Sequence, residues 1–479
     1  MELRAYDMPS REKDVKNSFS VLCFGLIAYK DEIYMKNLWN KYQQTKDLKF
    51  LIEACENAPF FGNPEMGIEI AKILKKSTNM TYFQFDKLMQ GNPVDISHQV
   101  TLENWRKYPF TKWSFVNVRN VIPTANVQTC NNQTPNFDKK TQNLLDLQIN
   151  HEGKTKDLSE VLKLCDTDAF LVMSKGTLVF EYFDQFTDYN TPHIVFSISK
   201  SITSLLLGVL SREINLDLNT KISKIIPETK GSAYENATVR NVLDMNVSSG
   251  FIEDYTGEAE IFKKYRSCTG WDLVDGSIKD LPQGMYDFLS NLPSSDLSHG
   301  TKYHYSSPHS DLLGWVIERL TNDKYYNVLS KLLFIPSQLQ FSSNVTLDRL
   351  GASRSAGGIS ISPYDLLTLA ELTRCEGSNN NGNIIPESWI NDFVNPRDNS
   401  CYLAQDNLER FPKGNYRSKW YQTGFGENQF CAIGIHGQNI WVNPKKELTI
   451  IRMSSASDPI NIKTEELMFS VFEEIGNYL

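Results

Sequence analysis

Residues 196–208 of the chain read FSISKSITSLLLG, which places Ser197 and Lys200 three residues apart at the start of a helical pattern. The apolar residues that follow repeat at the spacing of a helix buried along one stripe: Ile198, Ile202, Leu205, Leu206, Val209 and Leu210. Residues three apart on a helix are neighbours, so the lysine amine can reach the serine hydroxyl. The unpaired N–H groups of the first helical turn point toward whatever that hydroxyl attacks. The stretch therefore predicts a nucleophilic serine beside its base, held by a buried helix.

The S-x-x-K pattern is weak when it stands alone, because a chain rich in serine and lysine meets it by chance. Ser10-Arg11-Glu12-Lys13 is such a meeting. An isolated match is more often a helix-start serine followed by a solvated lysine. The rest of the sequence must therefore decide between the two interpretations.

Composition describes an ordinary globular protein with an acidic balance. The 479 residues are enough for two or three domains, and 41% of them are hydrophobic and 22% charged. The net charge of -8, the pI near 5.6 and the lack of a dense Lys/Arg stripe argue against a nucleic-acid partner. We expect the partner to be a small molecule.

The cysteines and the apolar runs indicate which cellular compartment to expect and whether the chain crosses a membrane. The eight cysteines show no metal-binding spacing, which predicts free thiols in a reducing compartment. No apolar run reaches the roughly 18 to 20 residues that span a bilayer. The apolar stretch at residues 19–29 follows acidic residues and lacks a cleavage-site pattern, so it does not resemble a signal peptide. A cytoplasmic protein without membrane contact is expected.

Secondary-structure signals divide the chain into three parts. Residues 1–80 carry helical patterns without recognisable chemistry and predict a helical N-terminal extension. Residues 81–213 and 345–479 contain two strand hairpins, at 168–183 and 430–453, and a closing helix at 463–477. Residues 214–344 predict a mostly helical domain. The expected architecture is one α/β (α+β) domain built from two separated segments, with a helical domain inserted between them.

Several familiar sites are missing from the sequence. It contains no G-x-S-x-G, H-E-x-x-H, G-x-G-x-x-G or P-loop pattern, and its seven histidines show no ligand spacing. We therefore expect neither a metal nor a cofactor.

Two further motifs follow the S-x-x-K stretch in order: Tyr305-Ser306-Ser307 and His436-Gly437-Gln438. Together the three resemble the signature of penicillin-recognising serine hydrolases, in the class C β-lactamase and esterase branch. The stretches 113–119, 122–126 and 434–438 are similar to those of 6-aminohexanoate-dimer (nylon-oligomer) hydrolases. The resemblance covers roughly residues 85–479. It implies a β-lactamase/transpeptidase-like fold, with an antiparallel sheet flanked by helices and a mostly helical second domain.

The resemblance also implies roles for individual residues. Ser197 would attack an amide or ester carbonyl, and Lys200 and Tyr305 would share the proton transfers, either of them serving as the base. The N–H groups of Ser197 and of Ile435, on the 434–438 strand, would hold the oxyanion. The residues expected to contact the substrate are Ser307, His436, Gly437 and, from the loop that carries a substrate-contacting tyrosine in nylon-oligomer hydrolases, Tyr255.

The sequence departs from the family pattern at two motifs. These departures restrict the expected substrate class and leave two alternative functions open. His436-Gly437-Gln438 lacks the lysine and hydroxyl of K-T-G, and Ser307 replaces the asparagine of Y-x-N, so efficient β-lactam hydrolysis is not expected. A pocket lined by His436 and Gln438 would suit a neutral or amine-bearing acyl chain. The alternatives are a D-amino-acid peptidase of the penicillin-binding type and an inactive binding module whose residues 1–80 do the work. A homodimer is among the open alternatives for its assembly.

Overall fold

The computed structural model describes residues 87–131, 137–255, 258–274, 278–395, 398–405 and 410–479, together with seven residues between 38 and 50. The predicted helical extension at residues 1–80 therefore lies almost wholly outside the described residues. None of the described helices is long and apolar enough to cross a membrane.

Strands and helices are numbered here in chain order over the described residues. The strands are β1 Thr124–Val127, β2 Asp138–Lys139, β3 Gln148–His151, β4 Lys154–Asp157, β5 Thr167–Ser174, β6 Thr177–Phe183, β7 His193–Ile194, β8 Ser343–Thr346, β9 Ile359–Ile361, β10 Ser378–Asn379, β11 Gly382–Asn383, β12 Asn415–Arg417, β13 Trp420–Gln422, β14 Phe430–Gly434, β15 Gln438–Asn443 and β16 Leu448–Ser454. The α-helices are α1 Thr111–Ser114, α2 Leu158–Leu164, α3 Ile198–Ile214, α4 Ile222–Ile225, α5 Val239–Leu243, α6 Glu260–Cys268, α7 Met285–Ser290, α8 Ser307–Thr321, α9 Tyr325–Leu329, α10 Pro363–Arg374, α11 Glu387–Val394, α12 Ser400–Leu403 and α13 Ile462–Tyr478.

The main sheet has eight strands in the order β12-β13-β14-β15-β16-β5-β6-β2. All neighbours are antiparallel except β2 and β6, which run parallel. Both predicted hairpins are confirmed. The turn between β5 and β6 is Lys175-Gly176, with φ of 50° and 76°, the left-handed values that a two-residue hairpin turn needs.

The main sheet separates two apolar layers because successive side chains of a strand point to opposite faces. On β5, Leu171 and Met173 join a core with α3 and α10, whereas Phe170 and Val172 join a second core with α13. The Phe170 and Phe472 rings stack with centroids 6.1 Å apart. The helices thus flank the sheet on both faces, and α3 is buried beneath it.

A four-stranded antiparallel sheet, β1-β8-β9-β7, leads the chain into α3. Its last strand, β7, ends three residues before Ser197. Residues 214–344 are largely helical, but β8 begins at Ser343 and pairs with β1. The division of the chain into domains stays a prediction.

Candidate active site

Ser197 stands at the first turn of α3, in the N-cap position, and is 9% exposed. The residue before it, Phe196, has a φ of 43°, a left-handed value that is unfavourable for an aromatic residue. Tight ring packing holds it there, with Phe115 at 4.9 Å and His436 at 5.3 Å between centroids. This bend turns the chain from β7 into the helix and aims the Ser197 hydroxyl at the cleft.

Lys200 lies one turn further along α3 and is fully buried. Its Nζ is 2.8 Å from Ser197 Oγ and 2.8 Å from the carbonyl oxygen of Ala356. Its pKa is lowered to about 8, mainly by burial and to a smaller extent by the positive charge of Arg354. The carboxylates of Glu253 and Asp311 act in the opposite direction. A substantial fraction of Lys200 is therefore neutral near physiological pH and able to accept a proton.

Tyr305 is the third residue at this site, beside Ser197 and Lys200, and lies two residues before the start of α8. Lys200 Nζ lies 5.2 Å from the centroid of its ring. Burial, then the neighbouring Tyr421 and Glu253, raise the pKa of the Tyr305 phenol well above its usual range, and a hydrogen bond with Ser197 lowers it. The phenol therefore keeps its proton near neutral pH.

Glu253 is the residue of this site that sequence reasoning missed. Its Oε2 accepts a hydrogen bond from the Ser307 N–H at 2.7 Å, and its Oε1 accepts from Ser307 Oγ at 2.7 Å and from the Tyr255 hydroxyl at 2.8 Å. The Ser307 hydroxyl therefore donates to the Glu253 carboxylate, and Ser307 does not line the cleft. Tyr255 does line it. The available signal was an acidic residue two positions before the predicted substrate-contacting tyrosine.

The turn that follows β14 faces the start of α3. Gly434 pairs with Gln438 across the hairpin, so Ile435, His436 and Gly437 form its turn; the expectation that Ile435 lies on a strand is corrected. A Cβ on Gly434 would lie 2.6 Å from the Val195 carbonyl oxygen, which shows how closely this turn approaches the first turn of α3. Among the described residues, no hydrogen bond uses the N–H of Ser197 or of Ile435 as its donor. Both residues line the same cleft, so both groups remain available to an oxyanion.

His436 and Gln438 do not line the cleft, contrary to the expectation from their side-chain types. His436 has a φ of 60° and is buried, and its Nδ1 lies 2.7 Å from the Ala456 carbonyl oxygen. Burial lowers its pKa to about 3, so the ring is neutral. Gln438 donates to the Ser454 carbonyl at 2.6 Å. The two side chains therefore support the turn from behind.

Gly437 is also placed behind the cleft wall, and a side chain has no room there. It has a φ of 88°, and its carbonyl accepts a hydrogen bond from Arg452 Nη1 at 2.9 Å. A Cβ at this position would lie 2.6 Å from that same Nη1.

The cleft in front of Ser197 has a volume of about 820 Å³, enough for a small organic substrate. Tyrosines form much of its wall, among them Tyr255, Tyr305 and Tyr421. A charged pair closes one side, where Arg410 forks onto Glu465 with contacts of 2.6 to 2.9 Å. No group of three or more metal-ligating side chains occurs in the part of the chain that the structure describes.

The fold, and the meeting of a serine, a buried lysine and a tyrosine in one cleft, are those of a serine hydrolase of the β-lactamase type. Residues 166–470 match the family model described as Beta-lactamase, and the chain belongs to that family.

Three individual proteins are similar to the chain. The chain is 28% identical over 369 residues to the 6-aminohexanoate-dimer hydrolase of Paenarthrobacter ureafaciens, covering 77% of this chain and 91% of that protein. It resembles the structure of a Bacillus anthracis protein assigned to the 6-aminohexanoate-dimer hydrolases, with a TM-score of 0.72, 22% identity, and coverage of 79% of this chain and 97% of that one. EstCE1, a hydrolase with promiscuous acyltransferase activity, matches with a TM-score of 0.52 and 12% identity, covering 66% and 98% of the two chains. The last two likenesses concern the fold, which the sequence analysis predicted correctly.

Proposed function

We propose that the protein hydrolyses small carboxylic esters and amides through an acyl-enzyme formed on Ser197. The observation that carries this proposal is the 2.8 Å contact between Lys200 Nζ and Ser197 Oγ at the floor of the cleft. A serine hydroxyl is a poor nucleophile until a base accepts its proton. The lowered pKa of the Lys200 amine and the raised pKa of the Tyr305 phenol support Lys200 as the base and Tyr305 as the acid.

The first half of the reaction forms the acyl-enzyme. Ser197 Oγ attacks the substrate carbonyl carbon while its proton passes to Lys200 Nζ, which gives a tetrahedral intermediate with a negative oxygen. The N–H groups of Ser197 and Ile435 stabilise that oxygen. By analogy with other oxyanion sites, the loss of either donor would raise the activation barrier by about 2.7 to 4 kcal/mol. The carbon–oxygen or carbon–nitrogen bond to the leaving group then breaks, and Tyr305 gives its proton to the departing alcohol or amine while Lys200 reprotonates the tyrosine.

The second half releases the acid product. A water molecule occupies the place of the leaving group and loses a proton to Tyr305 and Lys200, which act together in reverse. The resulting hydroxide attacks the acyl carbon, and the bond to Ser197 Oγ breaks as Lys200 returns the proton to the serine oxygen.

The relative from Paenarthrobacter supports an amide as one substrate class, since its name specifies hydrolysis of the 6-aminohexanoate dimer. The cleft itself offers Glu253 near the nucleophile and the Arg410–Glu465 pair at one side, which suits a small polar chain better than a long apolar one. We infer that short amides and esters with a polar or amine-bearing acyl group are the substrates to screen first.

Intact-mass analysis after incubation with a fluorophosphonate probe tests the proposal. We expect a single adduct on the wild type and none on Ser197→Ala, with both proteins folded by circular dichroism. A panel of p-nitrophenyl esters and anilides would then separate ester from amide preference. A folded wild type that forms no adduct and turns over no member of the panel would refute the proposal and favour a binding module. A labelled penicillin that forms a slowly decaying adduct would point instead to a peptidase of the penicillin-binding type.

A further inference from the structure

Asp311 is a buried carboxylate that the reaction described above does not use. It lies in α8 with no exposed surface, six residues after Tyr305. Its Oδ1 accepts a hydrogen bond from the Ala356 N–H at 2.8 Å, and its Oδ2 accepts from the Tyr265 hydroxyl and from Arg354 Nη1. All three neighbours donate, so the arrangement requires the ionised form of Asp311.

Ala356 connects this carboxylate to the catalytic amine. Its N–H donates to Asp311, and its carbonyl oxygen lies 2.8 Å from Lys200 Nζ. The same amine lies 2.8 Å from Ser197 Oγ, so Ala356 supplies one of the two contacts that fix the Nζ position. A shift of the Ala356 backbone would therefore move the base relative to the nucleophile.

Arg354 adds a charge that must be balanced. Its guanidinium is 8% exposed and lies over the rings of Tyr265 and Trp271, 4.6 and 4.7 Å from their centroids. A buried cation without a partner disfavours the charged form of a nearby amine, whereas a buried carboxylate favours it. With both present, the two charges shift the Lys200 pKa in opposite directions.

Charged and titratable groups reach Lys200 from five elements of the structure. They are Glu253 from the loop after α5, Tyr305 before α8, Asp311 in α8, Arg354 before β9, and Lys419 from the turn between β12 and β13. Lys419 is buried and donates to the Val242 carbonyl at 2.6 Å, and burial lowers its pKa well below the usual range. The charged groups that act on the Lys200 pKa are Glu253, Arg354 and Asp311.

We propose that Asp311 is a positioning residue for the reaction: it aligns Ala356 against Lys200 and offsets the charge of Arg354, so that the pair sets the pH at which the lysine becomes a free base. The proposal rests on the assignment of Lys200 as the base. It makes the Asp311–Arg354 pair part of the control of catalysis in addition to its part in the core.

The test follows the pH dependence of fluorophosphonate labelling between pH 6 and 10 in the wild type, Asp311→Asn, Arg354→Met and the double variant. Asn keeps an oxygen that can accept from Ala356 but leaves Arg354 unbalanced, so the midpoint of the rising limb should fall by about one pH unit. Arg354→Met leaves the carboxylate unbalanced and should raise the midpoint by a similar amount. The double variant should return to within about 0.3 unit of the wild type. A role confined to the stability of the core would not produce shifts of opposite sign.

Glu371→Gln is the matched control. Glu371 accepts from both Nε and Nη2 of Arg374 in α10, and neither residue lines the cleft. The variant should lower the melting temperature without moving the midpoint.

Folded single variants that keep the wild-type midpoint, or that shift it in the same direction, would overturn the proposal. Should Asp311→Asn fail to fold, the comparison of Arg354→Met with the double variant decides: the upward shift must vanish once Asp311 is also neutral. A wild type that is not labelled at any pH would refute the proposed function instead, so the two failures are distinguishable.

Discussion

Gly434→Ala gives the sharpest test of where the oxyanion is held. The added Cβ would lie 2.6 Å from the Val195 carbonyl oxygen and 2.9 Å from the Gln438 Cβ. Ordinary contact begins at 3.4 Å, so the turn carrying Ile435 must retreat from α3 by about 0.8 Å. The Val195 carbonyl cannot yield easily because it accepts the Ile198 N–H in the first turn of the helix.

That displacement determines how far kcat should fall in Gly434→Ala. An oxyanion donor works at about 2.7 to 3.1 Å, and a further 0.8 Å takes it beyond hydrogen-bonding distance. Loss of one such donor lowers kcat by about 10² to 10³ in related chemistry, and we expect a fall of about 100-fold. The change in KM should be small because the substrate carbonyl gains most of this interaction only in the transition state.

The assay is steady-state hydrolysis of whichever p-nitrophenyl ester the wild type accepts, with thermal unfolding measured in parallel. Gly208→Ala is the control. Gly208 lies in α3 away from the cleft, and its added Cβ would meet the Trp389 ring of α11 at 2.7 Å. It should lower stability and leave kcat per folded molecule unchanged. A folded Gly434→Ala protein with wild-type kcat would show that this turn does not hold the oxyanion.

Three further predictions concern side chains around the cleft. Tyr305→Phe should fold normally and lose about 10² to 10⁴ in kcat, measured on the same ester, because the proton donor to the leaving group is gone. Glu253→Gln should move the rising limb of the pH–rate profile to lower pH, because the carboxylate raises the pKa of Lys200. His436 is neutral in the fold, with a pKa of about 3 against 6.5 in the unfolded chain, so below pH 6.5 the unfolded state binds its proton first. The free energy of unfolding should therefore fall by about 1.4 kcal/mol per pH unit from this group as the pH drops, and His436→Gln should lack that component in denaturant titrations at pH 7 and 5.

The elements that local periodicity governs were predictable from the sequence. Two apolar strand runs around a Gly-containing turn predicted the β5–β6 hairpin. The repeat of apolar residues predicted α3, so Ser197 and Lys200 were expected to meet one helical turn apart. Tyr305 is more than a hundred residues away in the chain, and only the order of the family motifs suggested that it joins them. Contacts of that range depend on how the layers pack, which no local pattern encodes.

The contacts missed were those in which a polar side chain is satisfied inside the fold. His436 and Gln438 suggested a polar pocket wall, but the hairpin turns both inward, where backbone carbonyls accept their hydrogen bonds. Asp311 had a signal that could have been used, because it stands immediately before the apolar run that begins at Leu312-Leu313. A buried carboxylate requires a partner, yet the sequence alone does not say that the partner is Arg354.

Glu253 accounts for the departure of this site from the Y-x-N pattern in physical terms. Asparagine would offer an amide donor to the substrate, whereas Ser307 directs its hydroxyl and its N–H to a carboxylate 2.7 Å away. A donor near the nucleophile is thus replaced by a negative charge. That charge favours a protonated amine and repels a carboxylate placed close to the scissile bond. We therefore expect β-lactams, which carry such a carboxylate, to be poor substrates, although the contact between Ser197 and Lys200 is retained beside Tyr305.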